Sequence, residues 1–99
     1  MEKKFKTIGE VLHTDLQGVS IESVLDKQML FTAFDTMRTR YGTATIITAQ
    51  YVDAEDNPMG EPFYIVTHSD VLAKQADDLR PELPVVGTIT QRGRYYSFA

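Results

Sequence analysis

Twelve consecutive residues, Tyr41-Gly42-Thr43-Ala44-Thr45-Ile46-Ile47-Thr48-Ala49-Gln50-Tyr51-Val52, carry almost nothing but β-branched, small and aromatic side chains. Branched side chains are stiff and fit a pleated surface better than a helix, so this stretch is the clearest strand in the chain. At the rise of an extended backbone it spans roughly 40 Å. That length suits a strand that coils around a barrel, with Gly42 tolerating a bend.

The flanking segments follow from this strand. From Gln28, the residues Met29, Leu30, Phe31, Ala33, Phe34 and Met37 are mixed with threonines and predict a long strand buried partly on both sides, with a helix as the alternative. Residues 53–62 hold turn formers and two prolines, which predicts an irregular hairpin loop. Phe63-Tyr64-Ile65-Val66-Thr67-His68 reads as a third strand. Ser69 or Asp70 then caps a helix through Val71, Leu72, Gln75, Ala76 and Leu79, which Arg80-Pro81-Glu82-Leu83-Pro84 ends. The last fifteen residues read as two strands meeting at a basic turn, Arg92-Gly93-Arg94, with Tyr95 and Tyr96 following at once. Upstream, Ile8, Val11, Leu12 and Leu16, then Val19, Ile21, Val24 and Leu25, recur at spacings near three and four. They predict short helical turns, the second opened by Ser20 with Glu22 and Ser23.

Three strands, a helix and two further strands is the order of the OB-fold, a five-stranded barrel whose helix plugs one end between the third and fourth strands. The expectation is therefore a mainly β, five-stranded OB-fold barrel over residues 28–98, preceded by an arm and short helical segment at 1–27. All 99 residues fit one domain.

Composition narrows the function. There is no cysteine, which removes disulfides and thiolate metal sites. The basic N-terminus, Met1-Glu2-Lys3-Lys4-Phe5-Lys6, is not followed by an apolar run of signal-peptide length, and no stretch is long enough to span a membrane. A soluble cytoplasmic protein is expected. The net charge of −4 argues against a polyanionic partner until the charges are located. Asp53, Glu55, Asp56 and Glu61 crowd one loop, whereas Arg38, Arg40, Arg92 and Arg94 sit in two other segments. A fold that separates these groups leaves room for a basic face.

Guanidinium groups beside aromatic rings neutralise phosphates and stack bases, the chemistry of sequence-tolerant single-strand binding. OB-folds bind oligonucleotides across strands two and three, between the loops joining strands one to two and four to five. The first loop supplies Arg38, Arg40 and Tyr41. The last supplies Arg92 and Arg94 with Tyr95 or Tyr96, of which one faces outward because neighbours on a strand point opposite ways. Tyr51 joins them only if its parity, shared with Tyr41, Thr43, Thr45, Ile47 and Ala49, is the outward one. Phe31, Phe34 and Phe98 belong to the core.

Beyond these residues, the chain resembles the small OB-fold single-stranded DNA-binding proteins encoded by bacteriophages and related mobile elements. The resemblance runs over roughly residues 19–98 and rests on Tyr41-Gly42, on 63–69 ahead of the helix, and on Leu83-Pro84-Val85 leading to Gly93-Arg94-Tyr95-Tyr96. It implies single-stranded DNA as the partner during replication or recombination, with no catalysis, cofactor or metal. Two features depart from the better-known bacterial single-strand binders: tryptophan is absent, and no Gly/Gln-rich extension with an acidic tip follows Phe98. Recruitment of repair partners by such a tail is therefore not expected.

Other chemistry is weakly represented. His68, Ser69 and Asp70 are the residue types of a nucleophilic triad, but three adjacent positions do not align three side chains, and a helix cap accounts for Ser69 and Asp70. The acidic loop lacks the spacing of a calcium-binding loop. Three or four phosphate contacts predict a salt slope of about −2 to −3. Tighter binding requires several barrels on one strand, which makes a homo-oligomer compatible with this reading. The rival is a small barrel serving as a protein-interaction or inhibitory module through its acidic loop or N-terminal segment, a role the acidic pI favours.

Overall fold

Residues 16–99 are described by the computed structural model of this chain, and its central element is the strand legible in the sequence. In chain order the strands are β1 (Gln17–Gly18), β2 (Met29–Thr39), β3 (Gly42–Val52), β4 (Pro58–Thr67), β5 (Val85–Gly87), β6 (Ile89–Arg92) and β7 (Tyr95–Phe98). Helix α1 (Asp70–Leu79) follows β4, and short 3-10 turns occupy Ile21–Val24 and Arg80–Glu82. A five-stranded mixed sheet has the order β1-β4-β3-β2-β5, while β6 and β7 form a separate two-stranded sheet.

The central position of β3 explains its composition. It is antiparallel to β2 on one side and β4 on the other. Ile47 and Ala49 face the main core, and Ala44 and Ile46, at positions of opposite parity, are equally buried. Burial on both faces therefore falls on β3. On β2, which was expected to show it, Met29, Phe31 and Phe34 enter the core whereas Thr32, Asp35, Thr36 and Arg38 are exposed.

The sheet does not close into a barrel, which corrects the expected five-stranded OB-fold barrel at the level of strand pairing. The predicted fourth strand is split. Only 85–87 pair with β2, opposite Met29, Leu30 and Phe31. That pairing stops at Phe31, where β2 also carries a bulge, between Phe31 and Ala33, in its ladder with β3. At Thr88 the chain exchanges two backbone hydrogen bonds with Ala99 and continues as β6 against β7. Side chains and one backbone bond hold the small sheet to the rest of the fold. Phe98 meets Phe31 edge-on at a ring separation of 5.2 Å and Phe34 at 5.4 Å. Gln75 of α1 donates to Ser97 Oγ and accepts from the Phe98 amide, both at 2.9 Å, and the Asp26 amide donates to Ile89 O at 2.8 Å.

The helix forms as read. Ser69 Oγ accepts from the Leu72 amide at 3.2 Å, and Leu72, Ala76 and Leu79 present one stripe to the core. Pro81 has no N–H with which to continue the ladder. Two other expectations change. The irregular segment is shorter than 53–62, because β4 begins at Pro58 and runs through Pro62. Most of that stretch is a sheet edge, and a register shift between Ala49 and Tyr51 takes up the extra residues. Upstream of the 3-10 turn at Ile21–Val24, Gln17–Gly18 is a strand parallel to β4 instead of a helical turn. Tyr64 lies so close over Gly18 that an added Cβ would come within 2.8 Å of its ring. The turn expected around Ile8, Val11 and Leu12 and the basic N-terminus at 1–6 lie outside the described residues.

Candidate nucleic-acid interface

The β2–β3 connection is a two-residue turn, Arg40-Tyr41, with Thr39 paired to Gly42. Gly42 takes a φ of +111°, which L side chains rarely adopt, so the glycine is what lets the chain reverse here. Arg38 lies inside β2, opposite Thr43, and not in the loop assigned to it from sequence. Tyr41 is 78% exposed, the most exposed large hydrophobic residue among those described. The Arg40 guanidinium carbon stands 5.8 Å from its ring centroid, within cation-π range. A ring this open, carrying a cation on one side, is a platform on which a base can stack.

The β6–β7 connection is equally tight. Arg92 pairs with Tyr95 across Gly93-Arg94, and the positive φ falls on Gly93 alone, the pattern of a type II′ hairpin turn. Arg92 and Arg94 are exposed. Tyr95 is 49% exposed while Tyr96 packs against the core, so one of the two tyrosines faces out, as alternation requires.

A groove of about 460 Å³ lies between the β4–α1 corner and the β6–β7 tip. Thr67, His68, Ser69, Asp70 and Val71 line one wall, and Arg94, Tyr95 and Tyr96 line the other. Its walls come from the end of β4 with the start of α1 and from β7, strands that belong to different sheets. Tyr41 borders this region through His68, the two rings meeting edge-on at 6.3 Å. The groove is not uniformly cationic, because the Asp70 carboxylate stands in the first turn of α1.

The main acidic cluster lies elsewhere. Asp53, Glu55 and Asp56 follow the far end of β3, about 33 Å along the strand from Gly42, roughly four Debye lengths at physiological salt. Asp53 turns its carboxylate on its own loop, where Oδ1 accepts from the amides of Glu55 at 2.8 Å and Asn57 at 3.0 Å. The backbone donors of Asn57 and Glu55 hold its carboxyl below the ordinary aspartate range. Among the described residues, no group of three or more acidic or histidine side chains is arranged to hold a metal ion. Nor is any described helix long and apolar enough to cross a membrane.

Tyr51 does not join the tips. It packs against the core with its ring 4.9 Å from Phe63, and Lys27 Nζ lies 5.5 Å from its centroid. It sits beside the acidic loop, at the opposite end of β3 from Tyr41. Sequence reading missed Thr39 and His68. Thr39 Oγ1 donates to Gly42 O at 2.8 Å, accepts from the Tyr41 amide at 3.1 Å and lies 3.0 Å from His68 Nε2. The last contact joins residues 29 apart in sequence, and no local pattern announces it. No protein-family model, curated protein or solved structure matches the chain.

Proposed function

We propose that the chain is a non-enzymatic single-stranded DNA-binding protein, acting in replication or recombination, built on an open variant of the OB-fold. Three long antiparallel strands followed by a helix and a hairpin support the fold reading. The observation that carries the functional reading is that Tyr41 and Tyr95, both exposed, stand on separate hairpin tips beside Arg40 and Arg94, Tyr95 lining a groove whose wall residue His68 meets the ring of Tyr41. Arginines neutralise phosphates and the two rings stack bases, with Arg38, on β2 ahead of the first tip, and Arg92, at the base of the second, adding charge. Tyr96 packs against the core, and Tyr51 is left out of the interface.

The test is fluorescence polarisation of a labelled thymine oligonucleotide of about 30 nucleotides, long enough for several OB-fold footprints, across a salt series and with duplex competitor. Expected is micromolar or tighter binding that duplex does not displace, with a log–log salt slope of about −2 to −3 for three or four phosphate contacts. Absence of binding at low salt would remove the reading in favour of a protein-interaction module.

A further inference from the structure

The contact between Thr39 and His68 fixes more than its length suggests, because the remaining bonds of the hydroxyl decide who donates. Thr39 has one hydroxyl proton, and it goes to Gly42 O. The oxygen already accepts from the Tyr41 amide. Toward His68 Nε2 it therefore acts only as an acceptor, and the ring must carry a proton on Nε2. Both the Nε2-protonated neutral ring and the imidazolium meet that requirement.

We infer that His68 is a positioning residue: its Nε2–H, donated to Thr39 Oγ1, ties the β2–β3 tip to the corner between β4 and α1 and holds Tyr41 beside the groove wall that His68 lines. This assignment rests on the proposed single-strand function. The corner is itself fixed, since the Ser69 amide donates to Thr67 Oγ1 at 3.1 Å and Ser69 Oγ caps α1. A two-residue turn at the end of two long strands otherwise has only its own backbone to set its angle. The bond to His68 is the side-chain hydrogen bond that reaches from this tip to another part of the fold, and the edge-on contact of the rings adds to it. Pre-setting the platform removes part of the ordering cost that a bound strand would otherwise meet.

The experiment has two arms. In the free protein, nitrogen-15 NMR should detect a His68 Nε2–H proton protected from exchange, and T39V should abolish that protection; equal exchange in both proteins would overturn the assignment. In the binding arm, H68L and T39V should each weaken oligonucleotide binding about five-fold, the equivalent of one ordinary hydrogen bond, with the salt slope unchanged. The double variant should bind no more weakly than T39V alone, and H68Q, which keeps a donor at similar reach, should stay within about two-fold of wild type. A flattened slope in H68L would make His68 a phosphate contact and overturn the positioning role, as would additive losses or failure of H68Q to rescue. If the wild-type protein binds no oligonucleotide, the functional reading fails and the exchange arm alone decides whether His68 ties the tip.

Discussion

Replacing Tyr41 with alanine separates binding from folding. The side chain is 78% exposed, so truncation uncovers only about a fifth of the roughly 200 Å² that a tyrosine can bury. At about 25 cal/mol per Å² the stability cost is about 1 kcal/mol at most. The bond from its backbone N–H to Thr39 survives the substitution. The binding cost is larger if Tyr41 stacks a base, because a stacked aromatic contributes about 1–3 kcal/mol by alanine substitution. That range converts to about a 5- to 150-fold loss of affinity. No charge is removed, so the salt slope stays where it was, and Tyr41→Phe keeps the ring and with it nearly all the affinity. Polarisation with a thymine oligonucleotide at fixed salt, alongside a thermal melt, measures both quantities. A folded Tyr41→Ala protein with wild-type affinity would refute the stacking role. A melting temperature lowered by well over 8 °C would refute the claim that the tip is energetically peripheral.

Three further outcomes are expected. Replacing Arg92 and Arg94 together with alanine should flatten the salt slope by about 1.4, two phosphate contacts at 0.7 each, and an unchanged slope removes both residues from the interface. Phe98→Ala cuts the ring contacts that fasten the small sheet to Phe31 and Phe34; because Phe98 is only partly buried, chemical denaturation should report a loss of about 2–3 kcal/mol, below the range for a fully buried phenylalanine. Asp53 is held below its ordinary value by the Asn57 and Glu55 amides, so the unfolded chain binds more protons than the folded one on approach to that value, and stability contributed by the carboxylate rises with pH. The advantage of wild type over Asp53→Asn should be full at pH well above the ordinary aspartate range and disappear as pH falls through the lowered value, which amide exchange at Glu55 and Asn57 would follow.

What the sequence revealed and what it hid divide along the range of the interactions. The α1 cap is local, Ser69 to Leu72, and it is legible because three residues settle it. The outward turn of Tyr95 against Tyr96 follows from alternation alone. The break in the predicted fourth strand at Thr88, which pairs with Ala99, and the bulge after Phe31 leave no periodic signature. β1 is two residues long, too short for any pattern, and pairs with a strand more than forty positions away. Prolines at 58 and 62 read as a loop because the rule against proline in strands relaxes at edges, and edge status is a tertiary fact. Tyr51 is the clearest case. Its strand was plain from sequence, but alternation admits two parities, and only the packing against Phe63 selects one.

The same geometry bears on how a chain of net charge −4 could attract a polyanion. β3 separates the arginine-bearing turn at Arg40 from the acidic loop at Asp53, so net charge is a poor guide to the potential at either end. Screening at physiological salt reduces the influence of the loop on the tips to little, and the local balance there is set by Arg38, Arg40, Arg92 and Arg94 against Asp35 and Asp70. Asp70 is the one acid in the groove wall, and its place in the first turn of α1 gives it a structural reason to be there. On the proposed reading, a strand would therefore cross the groove with its phosphates toward the arginine tips and its bases toward Tyr41 and Tyr95. Affinity would then depend on salt through the tips and on ring contact through the tyrosines, two contributions that the Arg92/Arg94 and Tyr41 substitutions measure independently.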